Sequence, residues 1–303
     1  MISIFKAILT YIILHALTVA YFNYTSNTSI LSIFNNNNSN SSSSTFANMP
    51  SRSIVKAVLS AEQAEGRGAR VRRSIGRPEL RNHDPFLMLD EFNVDANGGF
   101  PDHPHRGFET VTYMLEGQFQ HEDFAARKLW INLPKEHKMC EPQYQELLDK
   151  EIPRATPEDG VIIKVIAGES HGVQSKIYTR TPTMYLDFRL EKNKSVMQTI
   201  PKTYTGFLYV LKGTIYIGDN EFVGKAHHTL TLTEDGAETV KISTKDEDAH
   251  FVFIAGEPLK EPIVQHGPFV MNSQEEIYET FDDYQSGKNG FERARNWQSS
   301  IAH

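Results

Sequence analysis

The sequence has 303 residues, of which 39% are hydrophobic and 23% charged, with a formal net charge of −7. This length predicts about two domains, and the composition provides enough apolar residues for packed cores. The net negative charge argues against a protein that binds nucleic acid through bulk charge alone. Cys140 is the only cysteine, which excludes an intrachain disulfide and favours a reducing compartment.

The first 49 residues are predicted to lie outside the fold. Residues 1–61 contain no Asp or Glu, and the apolar stretch Ala7–Tyr21 has the length of a signal-peptide core but is too short to cross a bilayer. An Asn- and Ser-rich tract follows at 23–45, with a composition typical of disorder. Residues 1–49 are therefore interpreted as a targeting or disordered extension, a signal or transit peptide, unless translation starts at Met49.

From Ile54 onward the sequence predicts an all-β protein. Short β-branched and aromatic runs, such as Val161–Ile166 and Phe207–Leu211, are separated by Gly, Pro, Asn and Asp, which is typical of a sandwich or barrel. One helix is predicted near the C terminus, because Ser273 and Glu276 form a capping box and an apolar face follows them.

Two segments of the chain resemble each other. Tyr113–Phe119 and Tyr209–Ile215, displaced by 96 residues, each contain a strand, a Gly turn and a second strand. Hairpins of this kind are common in all-β proteins, but the spacing is that of one barrel-sized unit. The repeat therefore favours a duplicated chain.

A candidate metal site precedes the first of these hairpins. His103 and His105 are two residues apart, so in a strand both imidazoles face the same side and can meet one ion. Neutral imidazoles suit Fe, Zn, Cu or Ni. With Gly98-Gly99 before the pair, Glu109 after it and then Gly117, the pattern matches a first cupin motif whose Glu-to-Gly gap is one residue longer than usual. The bare motif makes Glu109 a possible third ligand.

Longer motifs resemble the pirin family. They are His103–Thr110, Glu141–Leu147, Tyr178–Pro182, Ile254–Pro258, Gln265–Asn272 and Asn289–Arg293. The resemblance covers the chain from about Ile54 to its end. It implies two cupin (jelly-roll) β-barrels in tandem with a C-terminal helix, divided into an N-terminal cupin domain at 54–148 and a C-terminal one at 160–290.

The resemblance also implies an iron site. Pirins bind one Fe in the N-terminal barrel through two His of the first cupin motif and a His and a Glu of the second. His103 and His105 match the first two ligands, and by this resemblance Glu109 is only a weak substitute ligand. No His-x-Glu pair lies between Phe124 and the strand that begins at Leu129. Half of the family's site is therefore predicted to be missing.

The internal repeat predicts the same loss. The late strand of the second barrel begins at Phe251, 38 residues after Gly213, whereas Leu129 follows Gly117 by 12 residues. The first barrel is thus short by about 26 residues, on the order of several strands. A skipped exon or a faulty gene model is the preferred cause, and a real degenerate paralogue is the alternative.

The second barrel is predicted to be metal-free. Thr199 and Pro201 occupy the positions that correspond to the histidine pair. His227 and His228 are adjacent, so in a strand they face opposite sides and are interpreted as structural or surface residues. His266 is interpreted as a packing or turn residue.

A basic stretch runs from Arg67 to Arg81. It is interpreted either as a solvated strand face or as a contact surface for a transcription factor or for DNA phosphates. The candidate partner-binding residues are Arg70, Arg72, Arg73 and Arg77. No sequence-specific reading of DNA is evident, and the folded part has no integral membrane span.

Three functions remain open. The first is an iron-containing nuclear cofactor whose redox state modulates transcription-factor binding, and the resemblance implies a nuclear or cytoplasmic location for the folded part. The second is an oxygenase of the quercetin 2,3-dioxygenase type with a flavonol ligand. The third is a metal-free, non-catalytic paralogue or mis-spliced chain. Because two family ligands are missing, Fe binding is expected to be weak, with Glu109, His121 and Glu122 as weak substitutes.

Overall fold

The computed structural model describes residues 49–65, 67–99, 103–116 and 124–294, and the part of the chain from Met49 onward clusters as one unit. The predicted extension lies outside these residues except for Met49. The strands are β1 Ile54–Leu59, β2 Glu62–Glu65, β3 Arg67–Ile75, β4 Phe86–Gly99, β5 Phe108–Glu116, β6 Phe124–Asn132, β7 Arg154–Ala155, β8 Val161–Ala167, β9 Glu169–Ser170, β10 Val173–Gln174, β11 Thr183–Leu190, β12 Ser195–Thr199, β13 Thr205–Lys212, β14 Thr214–Ile217, β15 Phe222–Lys225, β16 His228–Leu232, β17 Thr239–Ser243, β18 Ala249–Gly256, β19 Val264–His266 and β20 Phe269–Met271, and the α-helix is α1 Gln274–Ser286.

Three sheets form three layers, which confirms the all-β prediction. A four-stranded sheet (β12-β17-β14-β15) packs on one face of a seven-stranded sheet (β1-β16-β13-β18-β11-β8-β7), and a five-stranded sheet (β2-β3-β4-β6-β5) packs on its other face. The seven-stranded sheet contributes Phe188 to the core that it shares with the four-stranded sheet, and Tyr185 to the core that it shares with the five-stranded sheet. Burial on both faces explains why its strands are continuous apolar runs.

The sheets also confirm the duplication. We call β2–β6 the first half and β7–β18 the second half. The strand order β2-β3-β4-β6-β5 recurs in the second half as β7-β8-β11-β18-β13. In both halves the strand that comes last in the sequence, β6 or β18, lies between two strands that precede it in the sequence.

The halves differ in the layer that covers the far face. In the second half, residues 213–248 separate β13 from β18 and contain β14–β17. In the first half, only residues 117–123 separate β5 from β6, a segment too short for four strands. Among the described residues, the first half is therefore a single sheet, whereas the second half is a sandwich.

Strand β1 pairs with the second half, although the sequence analysis assigned Ile54 to the first barrel. It is antiparallel to β16, with Ala57 opposite Leu230. The reason is Arg52, which is fully buried just before the strand. Its guanidinium donates hydrogen bonds to the backbone carbonyls of Pro201, Lys202, Tyr204, Thr233 and Ala237.

The helix α1 confirms the predicted capping box. The Ser273 hydroxyl accepts a hydrogen bond from the Glu276 N–H at 3.2 Å, and the Glu276 carboxylate accepts one from the Ser273 N–H at 3.2 Å. Gly287 ends the helix in the left-handed conformation. Ile277 is buried against the β19–β20 hairpin and Phe291. We call Val264–Ala294 the C-terminal segment. No helix of the described residues is long and apolar enough to cross a membrane.

Candidate metal centre

The structure brings the two predicted imidazoles together. His103 and His105 lie in the connection between β4 and β5, with their ring centroids 4.6 Å apart and their planes at 88°. The ring of His105 contacts Phe108 and Trp130 edge-on, at 5.2 and 5.7 Å. The pair therefore lies over the face of the five-stranded sheet that carries Trp130.

The environment of His105 favours its neutral form. Packing against the two aromatic rings, together with the nearby His103 and Lys128, lowers the pKa of His105 to about 4. At neutral pH the imidazole thus keeps a free lone pair, as a metal ligand requires. The indole N–H of Trp130 is buried beside it and finds no acceptor among the described residues.

Glu109 points away from the imidazoles. It lies opposite Ile131, a residue of the core between the two halves, whereas Trp130 occupies the other face. Its Oε1 accepts a hydrogen bond from the backbone N–H of Arg180 at 3.4 Å, and burial raises the pKa of its carboxyl. Strand alternation does not relate Glu109 to the histidines, because β5 begins only at Phe108, after Gly107 with a φ of 88°.

The donor set at this site is small. Within residues 49–65, 67–99, 103–116 and 124–294, no three side chains of His, Cys, Asp or Glu are grouped so that they could hold a metal ion. His121 and Glu122 lie outside those residues. The chemistry of the two imidazoles fits a transition metal, but the two ligands that the described residues provide here do not complete a coordination shell.

The backbone that follows the histidines is held by the C-terminal segment. Arg106 N–H donates to the carbonyl of Pro268 at 3.2 Å, and Arg106 O accepts from Val270 N–H at 3.0 Å. The Arg106 side chain is buried, and its guanidinium lies 4.2 Å from the centroid of the Phe291 ring. It donates hydrogen bonds to Thr280, Asp283 and the carbonyl of Asn289.

Gly107 allows the closest approach in this contact. A Cβ at this position would be 1.8 Å from the carbonyl oxygen of Val270. The Lys138 ammonium lies beside it and donates to Gly107 O at 3.0 Å, Val270 O at 3.2 Å and Asn132 Oδ1 at 2.6 Å. Burial lowers the pKa of Lys138 to about 8. We call these contacts of Arg106, Gly107 and Lys138 the C-terminal clamp.

Two family models match this chain. The Pirin model matches residues 68–139, and the model of the pirin C-terminal cupin domain matches residues 185–290. Human Pirin is 49% identical over 290 residues, which cover 84% of this chain and 99% of that protein. The chain belongs to the pirin family. A tomato pirin-like protein is 49% identical over 283 residues, covering 82% of this chain and 96% of that protein.

Solved structures share the cupin fold of this pirin-family chain. A quercetin 2,3-dioxygenase from Acinetobacter baumannii is 27% identical with a TM-score of 0.71, covering 80% of this chain and 99% of that chain. The bacterial pirin YhhW from Escherichia coli, in complex with nickel(II), is 14% identical with a TM-score of 0.53, covering 67% of this chain and 98% of that chain.

The alignment with human Pirin extends over 290 positions but uses 84% of the 303 residues of this chain, so it contains gaps in this chain.

The arginines assigned to partner binding in this pirin-family chain all have acidic neighbours. The ion pairs are Arg70–Glu62, Arg72–Glu62, Arg73–Asp90 and Arg77–Glu79. Arg73 binds Asp90 through two hydrogen bonds, and Asp90 is buried. The strand β3 thus carries less free positive charge than its sequence indicates.

The histidines of the second half have structural contacts. His266 packs edge-on against Phe281 at 5.0 Å, as the packing interpretation predicted. His227 adopts a φ of 61° before β16, and its Nδ1 lies 3.1 Å from a carboxylate oxygen of Glu91 in the first half. Sequence reasoning had no signal for that contact, because the two residues are 136 positions apart.

Proposed function

We propose that this pirin-family chain is a bicupin cofactor of the nucleus and cytoplasm that modulates transcription-factor binding, and that its first half binds a metal ion weakly. His103 and His105 would hold the ion, which is iron in the family. The observation that carries the proposal is the imidazole pair, in which His105 packs on Phe108 and Trp130 and no third metal-ligating side chain is grouped with the pair among the described residues. The 49% identity to human Pirin supports the cofactor role.

Ligand number is the reason for weak binding. Two imidazoles supply two directional bonds, which leaves most of the coordination shell to water and competing chelators. The buried indole N–H of Trp130, which has no acceptor among the described residues, supports the idea that a polar group of the second cupin motif is missing beside the pair. When bound, iron would supply redox chemistry, and the residues of this chain would orient the two imidazoles.

A metal titration tests this proposal. We expect residues 50–303, titrated anaerobically with Fe(II) or with Ni(II), to bind more weakly than micromolar, while human Pirin under the same conditions saturates. His103→Ala and His105→Ala should each abolish the residual binding. A stoichiometric site of sub-micromolar affinity that survives His103→Ala would contradict the assignment and point to other ligands.

A second candidate function is favoured by the similarity to the Acinetobacter quercetin 2,3-dioxygenase. An oxygenase of this type would take a flavonol as ligand and needs a metal with several fixed ligands and open positions. We expect this chain to deplete quercetin no faster than free metal does. Turnover that depends on His105 would establish the oxygenase instead. No metal binding and no turnover would identify a metal-free paralogue.

The candidate partner surface is the exposed side of β3. Arg70 is 64% exposed although it pairs with Glu62, and exposed pairs of this kind contribute little energy. A partner's carboxylates could therefore exchange with Glu62. Arg70→Glu should weaken capture of a transcription factor that binds human Pirin, whereas Arg73→Glu should first destabilise the sheet because Asp90 is buried.

A further inference from the structure

Two tyrosines cross between the halves. Tyr113 of β5 donates its hydroxyl hydrogen to Asp187 Oδ2 of β11 at 3.0 Å. Tyr209 of β13 donates to Glu91 Oε2 of β4 at 2.5 Å. The side chain of each tyrosine thus forms a hydrogen bond with a carboxylate of the other half.

The four residues occupy equivalent positions in the duplicated fold. Tyr113 and Tyr209 are 96 residues apart, and so are Glu91 and Asp187. The sheet register gives the same equivalence. Glu91 and Tyr113 both lie opposite Arg127, and Asp187 and Tyr209 both lie opposite Val252. Each half therefore presents one acid and one tyrosine on the same face, two strands or about 10 Å apart.

A second pair of contacts has the same offset. Glu109 accepts a hydrogen bond from the backbone N–H of Arg180, and Thr205 donates its hydroxyl hydrogen to the backbone carbonyl of Asp84. Glu109 and Thr205 are equivalent under the shift of 96 residues, as are Asp84 and Arg180. Both sets of contacts thus run in the two opposite directions across the interface.

In each carboxylate, the oxygen that accepts from the tyrosine also contacts a histidine. Asp187 is fully buried, and its Oδ2 also lies 2.8 Å from Nε2 of His250. Glu91 Oε2 lies 3.1 Å from Nδ1 of His227. These histidines are not repeat-related, because both belong to the second half. We call each carboxylate with its histidine a phenol socket.

We infer that the two halves meet through an isologous interface in which each half binds a tyrosine of the other in a phenol socket. A self-complementary patch related by a two-fold axis makes every contact twice, in reciprocal directions, as observed here. The interaction partner of each socket is thus the phenol of the opposite half, and the molecule is organised like a dimer joined in one chain. This inference does not depend on metal binding.

The reciprocal contacts fix the register of the interface. Apolar side chains around the sockets, including Phe207, Ile254 and Leu129, would tolerate sliding of one sheet on the other. A displaced arrangement would leave a buried carboxylate and a buried hydroxyl unpaired, which is costly. Burial and the adjacent Asp187 also raise the pKa of the Tyr113 hydroxyl, so the phenol remains the donor.

Double-mutant cycles on the whole chain test this inference. We expect Tyr113→Phe and Asp187→Asn each to raise the unfolding equilibrium constant about tenfold or more. The double variant should raise it by clearly less than the product of the two single effects, since the two residues share one contact although Asp187 also contacts His250. Tyr209→Phe with Glu91→Gln should behave in the same way. The cross combination Tyr113→Phe with Glu91→Gln is the matched control and should multiply to about 100-fold.

Two outcomes would overturn the inference. One is that the contacting pairs multiply their effects just as the cross combination does. The other is that only one of the two cycles shows coupling, because an isologous interface requires both. If Asp187→Asn prevents folding, the cycle of Tyr209→Phe with the half-buried Glu91 still decides the first point. Tyr113→Phe alone, which leaves Asp187 in place, then decides the second point: an effect on the unfolding equilibrium constant far below that of Tyr209→Phe would overturn the inference.

Discussion

The two halves of this pirin-family chain share five strands in one order but differ in what covers them. In the second half, the four-stranded sheet closes the far face of the strands and encloses an apolar core. In the first half, the far face carries His103, His105 and Trp130, and the connection from β5 to β6 is too short for such a layer. The face toward the other half is packed in both cases.

The two faces of the five-stranded sheet in the first half thus have different roles. The interface face depends on residues of β4, β5 and β6, all of which are present, so the halves can dock. In the function proposed above, the far face would depend on the second cupin motif, and the described residues of the first half supply no layer that could carry it. The reciprocal contacts lie on the opposite face and do not involve the proposed metal site.

The largest effect is expected at Arg52, which joins the N terminus to the second half. Arg52→Met removes a buried cation from five backbone carbonyls, and we expect the free energy of unfolding to fall by about 3–5 kcal/mol. Urea unfolding of the chain beginning at Pro50 measures it. The exposed Arg81→Met is the control, with an expected change within about 0.5 kcal/mol. Equal losses in the two variants would mean that β1 is not needed by the second half.

A pair of glycine substitutions compares one position from each half. Gly107 and Gly172 have similar φ values of 88° and 76°. A Cβ added at Gly107 would collide with the backbone of Val270, whereas a Cβ added at Gly172 would have no other atom within 4 Å. We expect Gly107→Ala to cost about 3 kcal/mol or more and Gly172→Ala about 1 kcal/mol. Thermal unfolding distinguishes them. Similar losses of unfolding free energy in the two variants would show that the backbone of the C-terminal clamp can shift to accommodate the added Cβ.

Restoring the missing layer should make the halves alike. Insertion of the second-motif segment of human Pirin between β5 and β6 should raise Ni(II) affinity about 100-fold, because it adds directional ligands to the imidazole pair. Isothermal titration measures the gain. The same insert with its His and Glu changed to Ala should improve stability without improving affinity. If both inserts bind equally, the ligands lie elsewhere.

A smaller effect is expected from pH at Lys138 in the clamp. Its pKa is lowered from 10.5 to about 8 in the fold, so between these values the unfolded chain binds more protons than the folded one. Stability therefore rises with pH across that window. Relative to Lys138→Met, we expect the wild-type chain to gain about 1–2 kcal/mol between pH 8 and 10 in urea unfolding. A flat difference would mean that Lys138 titrates normally.

Sequence reasoning reached the parts of the fold that local pattern determines. Strand periodicity, the Ser273 capping box and the strand at Tyr113 depend on neighbouring residues, and each is found in the structure. The turn and second strand predicted at Gly117–Phe119 lie outside the described residues. The proximity of His103 and His105 follows from their spacing. The partner of β1 was missed because Arg52 is bound by carbonyls more than 140 residues away.

The bare motif made Glu109 a possible ligand, whereas the resemblance made it only a weak substitute. Strand alternation could not decide between them, because β5 begins only at Phe108, after Gly107 with its positive φ. The free positive charge of the basic stretch was overestimated, because Asp90 lies opposite Arg73 on the neighbouring strand and only the sheet register shows this pairing. Motifs such as Asn289–Arg293 were visible as family features, but their contact with Arg106 requires the folded chain.

The C-terminal clamp also dictates an order of assembly during synthesis. Arg106 leaves the ribosome long before Thr280, Asp283 and Phe291, which hold it in the fold. Until those residues emerge, the strand after the histidines has unpaired backbone groups and an unburied guanidinium. We therefore expect nascent chains that stall before the C-terminal segment to need chaperones at the first half. The half that is made first is thus the half that is completed last.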